Sequence, residues 1–420
     1  MGDAQAHRKR VAVIGAGIVG VSTAIWLARD GHDVVLVDRA GPGEGTSHGN
    51  GGVLASCAIV PVTVPGLLGK APAMLLDPQS PLFLRWSYLP RLLPWLARYL
   101  SHCTDAEARR IAAALLPLIG DSLEQHRALC AGTDAERWLR PSDYLYVYRD
   151  RAAFEADAFG WGLRREAGFR WDTLEGEALA RFDPLLGPAN RFAVRLPDHG
   201  VIRDPGRYVK DLAAHLEQLG GTIRRADVTG FRFEAERLTG LDTDQGTIAC
   251  DRAVLATGVW SKELARTLGV TVPLESERGY HIELEAPSAY PVAPTMVASD
   301  KFVITPMDGR IRLAGIVEFG GLAAGPSAAP FKVLEAGLRR AFPTLAFETT
   351  TPWMGHRPAP ADSIPVIGAS PRHRDVLMAF GHHHVGLTGG PRTGRLVADL
   401  VSGRSPNIDL TPYSPERFAV

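Results

Sequence analysis

Three separated stretches predict an α/β protein whose parallel sheet is assembled from distant pieces of the chain. Residues 11–20 read VAVIGAGIVG and residues 251–260 read DRAVLATGVW. Residues 376–403 run from VLMAFG through a glycine-rich turn into TGRLVADLVSG. Each begins as a short apolar run, as a strand buried on both faces does, and turns at glycine. The alternating stretch at 277–319 predicts an antiparallel sheet in an inserted domain. We therefore expect a discontinuous Rossmann-type nucleotide-binding domain over 1–60, 197–276 and 352–420, with an inserted α+β substrate domain over 61–196 and 277–351. A chain of 420 residues is long for one core, which agrees with two domains.

The first element carries the most specific signal. Gly15, Gly17 and Gly20 fill the G-x-G-x-x-G spacing, with Ile18 and Val19 between, and the helix pattern VSTAIWLARDGH follows. The first glycine allows a tight turn, the second lets backbone approach a pyrophosphate, and the third lets the helix pack on the strand. The helix N-terminus offers N–H groups and a positive dipole end to phosphate. The second strand, DVVLVDR, ends in Asp38, placed to accept hydrogen bonds from ribose hydroxyls, and Arg39. A lone glycine triplet also fits an ordinary α/β turn. Strand, turn, helix, strand and acid in this order point instead to a dinucleotide.

Composition narrows the class. Hydrophobic residues make up 45% and charged residues 22%, the balance of a globular protein. Lys plus Arg number 46 and Asp plus Glu 46, which argues against nucleic acid as a partner. Cys57, Cys103, Cys130 and Cys250 are scattered and read as free thiols in a reducing compartment. MGDAQAHRKR carries no apolar signal-peptide core, so a cytoplasmic location is expected. Residues 59–100 are rich in Leu, Pro and Trp, but prolines and charges interrupt them, so they cannot span a bilayer. They read as helices of the cap; the alternative is peripheral contact with the inner face of the cytoplasmic membrane.

The remaining elements follow in order. GPGEGTSHGNGGVLA (41–55) is a glycine-rich loop carrying Thr46, Ser47 and Asn50. Residues 61–140 look mostly helical, and YLYVYRD (144–150) is strand-like. PGRYVKDLAAHLEQLGG (205–221) is an amphipathic helix with Tyr208, Val209, Leu212, Leu216 and Leu219 at near-helical spacing. GGTIRRADVTGFRF (220–233) opens a β-rich stretch. ERGYHIELE (277–285) and GRIRLAGIVEFGG (309–321) alternate as antiparallel strands, and FKVLEAGLRRAF (331–342) is a helix. GHRPAPADSIPVIG (355–368) reads as turn-rich.

VAVIGAGIVG with Asp38, TSHGNGG at 46–52, LATGVW at 255–260 and GHHHVGLTGGPRTG at 381–394 together resemble the D-amino-acid-oxidase superfamily of FAD enzymes. The resemblance covers nearly the whole chain. RGYHIEL, WMGHRPAPADSIPVIG, AFGHHHVGLT and PVTVPGLLGKAPAMLLDPQSPLFLRW are similar to its D-amino acid dehydrogenase branch, with D-hydroxyproline dehydrogenases as close members. The resemblance implies non-covalent FAD. Thr46 and Ser47 would then serve phosphate or ribityl oxygens, and Asn50, Gly51 and Gly52, with Gly49, the close approach of backbone to flavin. Val228 would meet adenine. Ala256, Thr257, Gly258 and Trp260 would form a second nucleotide-side turn. Gly386, Leu387 and Thr388 would aim N–H groups at a flavin carbonyl, although Gly389–Gly390 before Pro391 departs from the common wording.

On the substrate side, an amino acid carboxylate needs a fixed cation, and Arg forms a planar fork that matches it. Arg357 matches the family's G-x-R-P segment; a structural salt bridge is the alternative. Tyr280 could donate to the same carboxylate, or be a half-buried sheet tyrosine. Glu318, an acid in an apolar strand, pairs with an Arg, points to solvent or faces the substrate amine. Of His382, His383 and His384, His384 is chosen to face flavin or substrate. No metal is expected, because consecutive side chains point in different directions.

The expected activity is FAD-dependent dehydrogenation of D-amino acids to imino acids, with cyclic substrates such as D-proline and cis-4-hydroxy-D-proline favoured. The resemblance implies that electrons pass to a quinone or another carrier. A sarcosine- or glycine-type oxidase using oxygen, and a flavin subunit of a heteromeric complex, are the rival readings; a homo-oligomer is also compatible.

Overall fold

The computed structural model describes residues 8–67, 69, 75, 77 and 80–418. Among them the strands form three sheets. The first contains β1 (Arg10–Ile14), β2 (Asp33–Asp38), β8 (Thr222–Arg225), β12 (Arg252–Leu255), β18 (Val366–Ala369) and β19 (Val376–Phe380), in the order β18-β19-β12-β1-β2-β8. All neighbours run parallel except β18 and β19. β1 lies between β12 and β2, and its Val11, Ala12 and Val13 are fully buried, as a continuous apolar run requires. The three stretches that predicted this sheet thus supply adjacent strands from the start, middle and end of the chain.

Helices α1 (Ile18–Arg29) and α11 (Gly386–Val401) pack closely against each other. A Cβ on Gly394 would stand 2.6 Å from the Thr23 backbone nitrogen, and one on Gly390 would stand 3.0 Å from Ile18 Cγ1. Helix α8 (Pro205–Gln218) buries Tyr208, Val209, Leu212 and Leu216 as its spacing predicts, and Asp204 caps it by accepting from Arg207 N–H at 2.9 Å. Leu219 falls just beyond its end and is exposed.

The large mixed sheet runs β17 (Thr349–Pro360), β13 (Leu274–Glu285), β16 (Arg310–Phe319), β15 (Phe302–Pro306), β14 (Thr295–Val297), β5 (Leu139–Tyr148), β7 (Phe192–Ile202), β3 (Val53–Leu54). β4 (Leu82–Leu84) adds to β16 and β6 (Asp172–Glu175) to β7. The expected boundaries at 197, 277 and 352 fall inside β7, β13 and β17. A small sheet of β9 (Val228–Glu234), β10 (Arg237–Thr243) and β11 (Gly246–Ala249) completes the strands.

The turn-rich reading of 355–368 is corrected for its first half: Gly355–Pro360 closes the twelve-residue β17. Pro352, Pro358 and Pro360 lack N–H donors, and β17 tolerates them because it is an edge strand, paired with β13 on one side. The tract 61–86 lies partly outside the described residues. Beyond it, α2 (Leu89–Ser101), α3 (Asp105–Ile119) and α4 (Ser122–Cys130) bear out the helical expectation. α2 buries Leu92, Trp95 and Tyr99, and Trp95 Nε1 donates to the Ala359 carbonyl at 3.0 Å. No helix among the described residues is long and apolar enough to cross a membrane. All four cysteines are free and buried.

Two glycines should respond to alanine with opposite signs. Gly394→Ala should lower the melting temperature, since overpacking a close crossing costs about 1–3 kcal/mol. Gly162, inside helix α6 (Ala158–Glu166), has nothing within 4 Å of its would-be Cβ. Gly162→Ala should raise it, through up to about 1 kcal/mol of helix propensity. Thermal unfolding of both variants beside the parent checks the pair.

Candidate active site

A cavity of about 640 Å³ opens at the carboxyl ends of β1, β2 and β12, where parallel α/β sheets place their ligands. Its wall contains the sequence-predicted Gly15, Gly17, Ile18, Val19, Asp38, Arg39, Thr46, Ser47, Asn50, Val228, Ala256, Thr257, Gly258, Trp260, Gly386 and Leu387. Gly15 has φ +102°, and a Cβ there would stand 2.5 Å from the Ala256 carbonyl oxygen. Only glycine fits that turn. The Ser47 hydroxyl accepts from the Ile18 N–H at 3.0 Å, which ties the glycine loop to the start of α1. Thr46 donates to the His356 carbonyl at 2.8 Å. The N-cap residues of α1 and α11, Gly17 and Val385, supply no side-chain cap, and neither helix has an acid in its first turn. Two positive helix ends therefore meet this cavity, the α1 end with Ser47 on its first N–H and Asp38 beside it.

Asp38 already serves three backbone donors, Ala16 N–H at 2.8 Å, Ala40 at 2.8 Å and Gly41 at 2.9 Å. A carboxylate has about four acceptor positions, so one remains for a hydroxyl. The Arg39 guanidinium stacks 4.2 Å over the Trp260 ring beside it.

Four predicted cofactor residues are not on this wall. Gly20 serves packing: a Cβ would fall 1.8 Å from the Gly15 carbonyl. Gly51 faces Val303 and Ala314 of the large sheet, and Gly52 turns at φ +76° against the Ile202 carbonyl. Thr388 is buried, and its carbonyl accepts from Ser122 at 2.8 Å. The glycine loop is held from the large sheet: Arg312 donates to the carbonyls of His48 at 2.8 Å and Asn50 at 2.6 Å, and Thr305 to that of Gly51 at 2.7 Å.

Near the cavity, one face of β13 and β17 brings charge together. Arg357 Nη1 donates to Glu277 at 3.0 Å and to the Ile316 carbonyl at 3.1 Å, and Nη2 donates to the Gly315 carbonyl at 3.2 Å. Its Nε–H and one Nη2–H have no partner among the described residues. The guanidinium crosses Gly279, where a Cβ would stand 2.4 Å from Cζ. His383 Nε2 meets the other Glu277 oxygen at 2.7 Å, and His384 Nε2 meets the same oxygen as Arg357. Burial raises the Glu277 carboxyl, but the two histidines outweigh it and hold it well below the usual carboxylate range. Farther along this face, Trp353 lies over Gly49 and Gly355 and stacks on His281, ring centroids 4.9 Å apart.

The structure brings His384 and Arg357 together through Glu277, but it corrects three expectations. Tyr280 and Glu318 stand on the opposite face of the sheet, because strand alternation sends 278 and 280 away from 277 and 279. Tyr280 is 1% exposed in an apolar cluster, and its hydroxyl donates to Glu318 at 2.5 Å. Glu318 pairs with the fully buried Arg278 at 2.8 Å and accepts from Ser327. Both hold the sheet together and do not converge with Arg357. Among the three histidines, His382 and His383 line the cavity, while His384 turns to Glu277. Sequence reasoning missed Glu277, Gly279 and His383. An acid within the alternation ESERGYHIELE was the available signal for the first; a cross-strand neighbour alone explains the second.

Residues 10–400 match the family described as FAD dependent oxidoreductase. A D-amino-acid oxidase of Bradyrhizobium diazoefficiens is 40% identical over 98% of this chain and 99% of its own length. A D-amino acid dehydrogenase of Paramagnetospirillum magneticum is 32% identical over 97% of this chain and 99% of its own. Among solved structures, an L-proline dehydrogenase from P. horikoshii superposes with a TM-score of 0.75 at 18% identity, covering 98% of each chain, which supports the fold.

The turn at the start of α11 depends on a neutral histidine. Pro391 cannot donate to the Leu387 carbonyl four residues before it, and His126 Nε2 fills that role at 2.9 Å. Its Nδ1 then accepts from the Tyr208 hydroxyl at 2.8 Å. Burial holds His126 down to about 4, whereas an unfolded histidine takes its proton near pH ~6.5. Between those values the unfolded chain binds a proton that the folded chain refuses. Stability should therefore fall as pH drops below about 6.5, by ~2 kcal/mol at pH ~5 from this residue, and stop falling near 4. His126→Gln should flatten that part of the melting-temperature profile between pH ~7 and ~5.

Proposed function

The chain belongs to the FAD dependent oxidoreductase family, and on that premise we propose that it oxidises D-amino acids at the α-carbon to imino acids. The observation that carries this reading is Arg357, a fixed cation with two N–H donors unspent among the described residues, joined through Glu277 to the cavity-lining His383. The curated relatives named D-amino-acid oxidase and D-amino acid dehydrogenase support it.

FAD suits the cavity: glycine turns at 15 and 17 admit a pyrophosphate, Asp38 keeps an acceptor position for ribose, and two helix ends with no acid in their first turns favour negative charge. When bound, FAD supplies the two-electron acceptor for the substrate α-hydrogen. The chain orients the substrate. Arg357 takes the α-carboxylate on Nε and Nη2. Glu277 fixes the guanidinium, and the substrate amine is held neutral, so that its lone pair can follow the departing hydride. The Arg278–Glu318–Tyr280 cluster stiffens the sheet from behind. We take the parallel sheet as the cofactor domain and the large mixed sheet as the substrate domain.

Within this reading, compact or cyclic substrates such as D-proline are favoured, FAD is non-covalent, and electrons leave to a quinone or other carrier. Direct use of oxygen is the second reading, favoured by the relative named as an oxidase. Peroxide release during turnover separates the two.

The test is anaerobic flavin bleaching by D-proline, cis-4-hydroxy-D-proline, D-alanine, sarcosine and L-proline. D-amino acids should bleach the flavin; fast reduction by an L-substrate, or by sarcosine alone, overturns the assignment. Arg357→Ala should keep its FAD and lose at least about tenfold in kcat/KM, since a charge-assisted pair contributes about 1.5–3 kcal/mol. Arg357→Lys should recover only part of this, lacking the fork. Asp38→Ala should retain less FAD through purification, read from the ratio of visible to ultraviolet absorbance.

A further inference from the structure

Glu277, His383 and His384 converge more tightly than adjacent histidines ordinarily do. One carboxylate oxygen and two imidazole nitrogens lie within 4.8 Å of one another. The backbone explains the convergence. His383 sits in the left-handed region at φ +47°, which few non-glycine residues adopt. This turns its ring to the same side as that of His384, with ring centroids 4.0 Å apart. The expectation that consecutive histidines diverge holds for an extended strand and fails at this turn. The His383 N–H bond to the Pro358 carbonyl at 3.0 Å pins the turn to the active-site strand.

We propose that these three residues form a site for a borderline divalent transition-metal ion of the zinc class, whose occupancy blocks the Arg357 anchor. Two imidazoles and one carboxylate are the donor set of zinc, whereas magnesium and calcium take oxygen ligands. Three protein ligands leave a fourth position open to water or a substrate carboxylate. The buried Glu277 gives the site its negative charge, and His384, 39% exposed at its side chain, gives an entry path.

In the metal-free site both Nε2 atoms face carboxylate oxygens and act as N–H donors. Binding an ion needs the Nε2 lone pairs, so each imidazole moves its one proton to Nδ1. No proton need leave. The ion takes the place of the two N–H donors on Glu277. Arg357 stays bonded to the Ile316 and Gly315 carbonyls. Its charge opposes the ion, so the affinity should be moderate, and a substrate carboxylate that meets both cations would be trapped on the metal instead of aligned for reaction.

The experiment uses the FAD-loaded protein, stripped with chelator and desalted, titrated calorimetrically with zinc chloride and in parallel with magnesium chloride. One equivalent of zinc should bind and magnesium should not. Zinc should also raise the melting temperature and inhibit flavin reduction reversibly. His384→Asn and His383→Asn, each checked for retained flavin absorbance, should each weaken zinc at least about tenfold. Absence of zinc binding, equal binding of magnesium, or unchanged affinity in either variant overturns the site. Calorimetry and melting do not depend on the substrate assignment, so they stand even if no D-amino acid reduces the flavin.

Discussion

Glu277 is a carboxylate 2% exposed to solvent, and the architecture meets there. It belongs to β13 of the large sheet, it holds Arg357 of β17, and it receives both histidines of the loop that leads into α11. That loop follows β19 of the parallel sheet, so one buried charge joins the two sheets where the cavity opens. A carboxylate taken out of water is costly unless donors surround it. Here three cationic or N–H-bearing side chains do so from two elements. Removing any one of them leaves the others facing an undercompensated charge, which makes the junction specific in geometry and not merely cohesive.

The same strand repeats this logic along both faces. Glu283, three two-residue repeats farther along the same face, is bound by Arg310 at 2.7 Å and by Arg312, and Arg312 reaches the carbonyls of the glycine loop. Burial raises the Glu283 carboxyl, but its two arginines pull it down to about 2. On the opposite face Arg278, Glu318 and Tyr280 form a second network. The sheet thus carries charge through its interior without isolated ions. One face is spent on positioning the glycine loop and Arg357, and the other on rigidity.

What was legible in the sequence is what is local. Gly15, Gly17, Gly20 and Asp38 act through turn geometry and strand ends within one βαβ unit, and their spacing alone expresses that. The G-x-R-P wording singles out Arg357, whose role as carboxylate anchor is what we propose. Tyr280 and Glu318 were placed wrongly because alternation says that a strand has two faces without saying which one meets the cavity. Glu277 was hidden for the same reason: it alternates with Arg278, and only the pairing with β17 puts it beside Arg357. The prolines of β17 read as turn residues because an edge position is a property of the sheet, not of the segment.

The backbone outliers support this account of the site. Ile316 is a β-branched residue at φ +56°, and it lies at the register shift opposite Gly279 and Tyr280. Left-handed conformations are unfavourable for such residues and persist where the surroundings over-determine them. Here the bulge turns the Gly315 and Ile316 carbonyls toward the Arg357 guanidinium. His383, left-handed at φ +47°, turns its ring to Glu277. Two strained residues on two different elements therefore aim groups at the same ion pair. An ordinary structural salt bridge would not need either distortion, so their coincidence argues that the position of Arg357, rather than its charge alone, is what this part of the chain is built to hold.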